Sequence, residues 1–483
     1  MIAKRNILAK AKADISRPYA IIGIFLIVSS LLLSHPSLAT AQRLGPQTQA
    51  ALKPSTVAEV VKPAVVRIFN FANITLSSPF PSVDVNTLQQ QISQLADQDN
   101  INSDDPRAVL DTIITLMQQD PTTYIVPTRD TIDFAMPQLA SGSGFIVTPN
   151  GYIVTNAHVV EPPSTQQIAQ QISSDENTIA SVFGNEAVDN TNSVLSELLP
   201  QYFPDLASLE VTRDEQVGLT TAFLRYYLAN SQITDIQQQI LVQVRLSVPG
   251  VLTSTRPVLA EVIPAATGQS NGKDVAIIKI EGSNLPTVPL GDETSLRSLD
   301  DIIAVGFPGS VDIGVSGTDI SEQIEPSVTE GKFSGPQPSA FGFDVLQTST
   351  PISHGNSGGP AVNASGNVVG IATFGTINPI TGQEESAFNF LMPVSIAKDF
   401  LSRINVQPQE SQFTKMYRQA LIEYDQQHYK NALDILLQID RISPGNPYVQ
   451  RFMSLSQQQV SAGQDQTAGF MGTGATDNTP ATP

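Results

Sequence analysis

The stretch that decides the fold is ASGSGFIVTPNGYIVTNAHVV, residues 140–160. Two apolar, β-branched runs flank Asn150-Gly151, the dipeptide most typical of a two-residue hairpin turn. The second run ends at His158. Outward from this hairpin the pattern repeats. VVKPAVVRIFNF (60–71), QILVQVRLSV (239–248), TRPVLAEVIP (255–264) and KDVAIIKI (273–280) read as strands. From 285 to 391 short apolar runs alternate with Gly, Pro, Asn and Asp turns, the pattern of an all-β barrel or sandwich. Two acidic, Gln-rich segments with helical spacing interrupt the first half, at about 72–139 and 161–234. They read as helical insertions.

Acyl transfer by a serine needs an exposed hydroxyl, an imidazole to take its proton, a carboxylate to orient that ring, and backbone N–H groups for the oxyanion. The chain of 483 residues has four histidines, and His35 falls in the N-terminal leader. Among the others, His158 closes the hairpin arm in TNAHVV. Asp274 opens the strand DVAIIKI, and a carboxylate at the head of a buried strand needs a partner. Ser357 lies in SHGNSGGP, residues 353–360, where the dense glycines indicate backbone in close approach or in unusual dihedrals. The order His, Asp, Ser is a known order of a catalytic triad. Gly355, Asn356 and Ser357 form the oxyanion loop, with the N–H groups of Gly355 and Ser357 as donors. His354 is three residues from the serine and reads as a rim residue; His428, between helical tyrosines, reads as a surface or packing residue.

TNAHVV, DVAIIKI and GNSGGP resemble the three catalytic blocks of trypsin-like serine proteases of the HtrA (Deg) type. SGSGFIV, LGDETSLRSLDDIIAVGFPG, VTEGKFSG, VVGIATFG and AFNFLMPV resemble further blocks of that family. The match is specific: GNSGGP has a chance frequency on the order of 10⁻⁷ per window. The resemblance implies two six-stranded β-barrels with the active site between them, Ser357 as nucleophile, His158 as general base then acid, and Asp274 as its orienter. It also implies that Pro351, Ile352, Thr373, Phe374, Gly375 and Phe388 shape the substrate site. None of these is charged, so an apolar specificity pocket is expected. Asn356 replaces the aspartate of digestive trypsins, so activation by a freshly cut N-terminal amine is not expected. No recognisable PDZ module follows. Residues 413–458 instead resemble one tetratricopeptide repeat, marked by Ala420, Tyr424, Tyr429, Ala432, Leu436 and Pro444. One such repeat cannot bury both faces alone, so a partner or an oligomer contact is expected of it.

The chain ends are read from composition. Lys4, Arg5, Lys10, Lys12 and Arg17 precede an apolar run at 19–33 and a small-x-small site at Ala39-Thr40-Ala41. That is the layout of a secretory signal peptide over residues 1–41, with a membrane anchor as the alternative. Cleavage would leave a net charge near −23 in place of −19. Such an acidic chain is a poor match for nucleic acid. Cysteine is absent, which excludes disulfides, thiol nucleophiles and thiolate metal sites. No metal motif occurs, and no cofactor is expected.

The domain expectation is therefore a first barrel over 42–284 carrying both insertions, a second over 285–405, helices over 413–458 and a disordered tail over 461–483. The function expected is an exported, periplasmic or otherwise extracytoplasmic serine endopeptidase acting on polypeptides in quality control or processing. A homo-oligomer is an expectation from the family. The alternative is a gated or inactive protease-fold scaffold or chaperone that binds proteins through its insertions and helical repeat.

Overall fold

The computed structural model describes residues 52–244, 257–268, 272–307, 325–353, 355–377 and 384–467, with the side chains of 374–377 and 384–388 left out. A short helix, α1 (Pro54–Val61), leads into β1 (Val65–Val83). Val60 and Val61, read from sequence as the start of a strand, belong to this helix. Pro54 sits in its first turn and Pro63 follows its end, so prolines bracket the helix and β pairing starts only at Val65.

β1, β2 (Ile125–Ile146), β3 (Tyr152–Thr155), β4 (Gln232–Gln243), β5 (Val258–Thr267) and β6 (Ala276–Lys279) close into one antiparallel barrel, in the order β1-β2-β3-β6-β5-β4. A second closed barrel has the order β10-β11-β12-β9-β8-β7. Its strands are β7 (Asp301–Gly306), β8 (Ser327–Pro338), β9 (Asp344–Thr348), β10 (Pro360–Val362), β11 (Val368–Ile377) and β12 (Glu384–Pro393). The expected pair of six-stranded barrels is thus present. One apolar cluster spans both barrels, from Phe145, Val154 and Ile277 to Val305, Val362 and Ile371. It sets the barrels against each other and fixes the cleft between them.

The insertions differ from their sequence reading. Residues 72–83 and 125–139, assigned there to a helical insertion, continue β1 and β2, paired from Val65↔Phe145 out to Val83↔Ile125. The ribbon bulges between Pro79 and Pro81, where proline removes ladder donors. It runs past the barrel and carries a helical lobe. The first insertion supplies α2 (Val85–Asp97), α3 (Pro106–Gln119) and α4 (Pro121–Tyr124). The second supplies, after the short α5 (Ala157–Val160), the helices α6 (Thr165–Ser174), α7 (Glu176–Ser193), α8 (Leu199–Tyr202) and α9 (Arg213–Asn230).

Both sets of helices share one core with the distal ribbon: Ile74, Leu76, Phe134 and Met136 meet Leu110, Ile113, Phe183, Phe223 and Tyr227. Phe134 packs edge-on against Phe183 and Tyr227. Arg107 of α3 ties the lobe together through Glu215 of α9, with Nη1 at 2.6 and 2.7 Å from the two carboxylate oxygens. Burial alone would raise the Glu215 carboxyl. The Thr212 N–H and hydroxyl and the Arg107 guanidinium outweigh it and hold that carboxyl below its ordinary value. Glu215 also closes the capping box at the start of α9.

After β12, α10 (Val394–Arg403) packs on both barrels. Then α11 (Gln412–Asp425), α12 (Tyr429–Ile442) and α13 (Pro447–Ser461) form a helical unit with its own core of Phe413, Tyr417, Leu436, Val449 and Phe452. Val60 of α1 completes this core. Thr414 Oγ1 donates to the Thr287 carbonyl at 2.9 Å and accepts the Thr287 N–H, also at 2.9 Å. The chain stays ordered past Ser461, contrary to the tail boundary read from composition. The Gln466 N–H donates to the Gln427 carbonyl and the Lys430 N–H to Asp465. Residues 468–483 lie outside the described residues, as do 1–51 with the leader. Among the described residues no helix is long and apolar enough to cross a membrane.

Candidate active site

β3 ends at Thr155, and the chain turns through buried Asn156 into α5, which carries His158. Two amides of the first barrel hold this turn in place. Asn70 Nδ2 donates to the carbonyls of Val159 and Glu161, at 3.1 and 3.0 Å. Gln238 Nε2 donates to the Val160 carbonyl and to Asn70 Oδ1, both at 2.9 Å. Asp274 stands two residues before β6. Its Oδ1 accepts the His158 backbone N–H at 3.0 Å, and its Oδ2 lies 2.7 Å from His158 Nδ1. Asn156 Nδ2 donates to the Asp274 carbonyl at 2.6 Å. The carboxylate therefore grips the histidine by both main chain and ring.

The second barrel reaches the same group through Thr373 on β11, whose Oγ1 donates to Asp274 Oδ2 at 2.7 Å. Burial pushes the Asp274 carboxyl up. The hydrogen bond and charge of His158, then the Thr373 hydroxyl and the His158 N–H, more than offset this, so it is held below the usual carboxylate range. Ser357 sits between β9 and β10, 8% exposed. Its Oγ donates to the Thr373 carbonyl at 3.0 Å. Ser357, Thr373, Asp274 and His158 thus form one continuous chain of contacts across the cleft. No hydrogen bond joins Ser357 Oγ to the His158 ring among the described residues.

The glycines of GNSGGP have distinct causes. Gly355 (φ +93°) and Gly358 (φ +87°) occupy the left-handed region. A Cβ on Gly358 would lie 2.1 Å from the Ser143 carbonyl oxygen and 2.3 Å from Thr155 Oγ1. Ser143, which sequence reading passed over, clamps the loop to the first barrel. Its N–H donates to the Ser357 carbonyl at 2.8 Å, and its Oγ donates to the Gly355 carbonyl at 2.6 Å. The only signal for it was its place in SGSGFIV.

The expected site residues divide. His158 and Asp274 are in direct contact, and Ser357 is linked to Asp274 through Thr373. The N–H groups of Gly355 and Ser357 have no partner among the described residues, whereas the Asn356 N–H donates to the Ser353 carbonyl at 3.0 Å. The Asn356 N–H thus closes a turn, in keeping with Gly355 and Ser357 as the two expected donors of this loop. Ile352 is buried in the second barrel's core with Phe333, Leu346 and Leu391, so its side chain is used in packing rather than in lining the cleft. Pro351 is exposed, and its carbonyl accepts the Thr329 hydroxyl. The Thr373 hydroxyl belongs to Asp274; its carbonyl faces Ser357. Phe374 and Gly375 lie on β11 and Phe388 on β12, with their side chains, like all of His354, outside the described residues. His428 pairs with Glu423 at 3.0 Å in the C-terminal helices, far in function from the cleft. No group of metal-ligating residues occurs among the described residues.

The family described as trypsin-like peptidase domain matches residues 142–244 and 244–371, which hold His158, Asp274 and Ser357. That stretch is similar to a trypsin-like peptidase domain, and the relatives it matches are serine proteases. It is 30% identical over 142 residues to the serine endoprotease DegS of Haemophilus influenzae, covering 28% of this chain and 38% of that protein. It is 35% identical over 111 residues to the serine protease Do-like HtrB of Bacillus subtilis, covering 22% of each. A DegP-like protein of Pseudomonas savastanoi pv. phaseolicola, whose name describes a periplasmic serine endoprotease, is 29% identical over 184 residues, 37% of this chain and 32% of that one. The chain thus spans between about a fifth and two fifths of the length of these relatives. A solved structure of the HtrA-type protease AlgW with decapeptide is 18% identical over 73% of this chain and 68% of that one, with a TM-score of 0.33.

Proposed function

We propose that the protein is an exported serine endopeptidase that hydrolyses peptide bonds of polypeptides. The observation that carries this reading is the double grip of Asp274 on His158, which sets the ring tautomer. With Nδ1 donating to Asp274, Nε2 carries the lone pair that accepts a proton. In the reaction, Ser357 Oγ attacks the carbonyl carbon while its proton passes to His158 Nε2. The oxyanion is met by the N–H groups of Gly355 and Ser357. The imidazolium then gives its proton to the departing amine, leaving an acyl-serine, and water deacylates it by the same proton route in reverse. No cofactor enters.

For attack, Ser357 Oγ must exchange the Thr373 carbonyl for His158 Nε2. A substrate N–H that binds the Thr373 carbonyl would release the hydroxyl. This contact favours a second reading, in which the site rests in a gated state and the protein also serves as a binding scaffold. The periplasmic description of a relative and the leader-like N-terminus support an extracytoplasmic location. Protein quality control or processing is the role proposed, with the C-terminal helices, read as a tetratricopeptide-like unit, offering a surface to a protein partner or a second copy.

Two outcomes test the chemistry. Asp274→Asn places an amide where three donors converge, and kcat is expected to fall about 10⁴-fold; a loss under tenfold would remove Asp274 from the mechanism. The acyl-side pocket should prefer small or medium aliphatic residues, with kcat/KM for Val, Ala or Leu peptides at least about tenfold above Lys or Arg peptides. A chromogenic peptide panel reads this directly, and a preference for basic residues would refute the apolar pocket.

A further inference from the structure

A cleft of about 510 Å³ borders His158 on the side of the second insertion. It is lined by Gln138 and Leu139 of β2, by Gln167 and Gln171 of α6, and by His158, Glu161 and Pro163. We propose that this cleft is the subsite for the leaving half of the substrate and selects a carboxamide side chain, Gln or Asn, just beyond the scissile bond. The proposal rests on the peptidase reading above.

The side follows from the geometry of Ser357. Its hydroxyl faces the Thr373 carbonyl on β11, whereas its main-chain carbonyl is held by the Ser143 N–H on β2. β11 and β2 therefore flank the serine from different barrels. His158 gives its proton to the departing amine. The proposal places the departing chain in the cleft that His158 shares with β2 and α6.

The chemistry follows from the amides. Gln138 Nε2 donates to Gln171 Oε1 at 2.6 Å, a bond that joins the ribbon of one insertion to a helix of the other. A carboxamide offers two donor hydrogens and an acceptor oxygen. Among the described residues the bonded pair leaves Gln138 Oε1 and the Gln171 amino group without a further bond, and an acceptor beside a donor complements one further carboxamide. Asn70, in the same lining, has both ends occupied by Val159, Glu161 and Gln238. Leu139, 55% exposed, and Pro163 supply apolar contact for the stem of the incoming side chain. The lobe behind the cleft disfavours an acidic occupant. Residues 72–139 carry nine acidic and two basic side chains and residues 161–234 ten and two, a combined charge of −15.

The test uses internally quenched peptides with one acyl half and Gln, Leu, Glu or Lys at the first or second position after the scissile bond. At one of these positions the Gln peptide is expected to exceed the other three about tenfold in kcat/KM, the scale of one well-placed polar contact pair. In a Gln138→Leu/Gln171→Leu protein that preference should shrink to about twofold or less. Gln171→Glu should shift the preference to Lys, a gain that only a folded pocket can give. Fluorescence anisotropy of the same peptides, in uncut form, with the Ser357→Ala protein reads the pocket without turnover. Cleavage of all four peptides at equal rates at both positions, or a Gln preference that survives both variants, would overturn the proposal while leaving the peptidase intact. Binding that favours Gln about tenfold, with no cleavage by the parent protein, would overturn the peptidase and keep the amide pocket.

Discussion

The Ser357→Ala protein is expected to hydrolyse peptides on the order of 10⁵- to 10⁶-fold more slowly than the parent. The substitution removes the attacking oxygen and little else. Among the described residues Ser357 Oγ makes one hydrogen bond, to the Thr373 carbonyl, and the bond from the Ser143 N–H to the Ser357 carbonyl does not involve the side chain. Loss of one such side-chain bond costs about 1 kcal/mol. The unfolding midpoint should therefore move by a few degrees at most while turnover disappears. Steady-state hydrolysis and a thermal melt on the same preparation separate the two effects. Turnover retained within a factor of ten would show that another group attacks.

His158→Ala should cost about as much as Ser357→Ala, since nucleophile and base act as a unit. For the same reason the double variant should be no slower than either single one. Here stability also changes. The Asp274 carboxyl is held below its ordinary value chiefly because His158 outweighs its burial. A lowered carboxyl stabilises the fold at pH above its unfolded value, and that contribution fades as pH falls through the lowered folded value. Without the ring, Asp274 keeps the Thr373 hydroxyl and the backbone N–H of residue 158 as partners, and its burial weighs more. The variant is expected to be less stable at neutral pH and to lose less on acidification than the parent. Urea unfolding at neutral and at mildly acidic pH measures this. Full turnover in His158→Ala would move the general base elsewhere.

Much of the site was legible because its parts sit in short, specific blocks. Asn150-Gly151 fixes the register Phe145↔Val154, and that register delivers His158 to the cleft. Asp274 could be read from the cost of a carboxylate at the head of a buried strand. Thr373 could not be assigned its contact. In VVGIATFG it is one hydroxyl in an apolar run, and only the meeting of β11 with the first barrel shows that it serves Asp274. Ile352 was expected from the resemblance to shape the substrate site, and its packing against Phe333, Leu346 and Leu391 has no local signal. Asn356, placed in the oxyanion loop but not as a donor, closes a turn on Ser353, a backbone choice that residue type does not reveal.

The insertions show the same limit at larger scale. Their helices were visible from apolar spacing, but two segments separated by the whole β3 hairpin share one core. The paired halves of that core, Leu110 and Ile113 against Phe223 and Tyr227, have no local signature. The overlong ribbon was hidden as well, because prolines at 79 and 81 argue locally against strand. Its bulge accommodates them.

The central claim is that Ser357 is an activated nucleophile, and covalent capture tests it most directly. The purified protein would be treated with a fluorophosphonate probe and its peptides mapped by mass spectrometry. The account predicts one adduct, on Ser357, absent in Ser357→Ala and slowed at least about a thousandfold in His158→Ala. Failure to label Ser357 in a folded protein that cleaves peptides, or an adduct on a different residue, would contradict it.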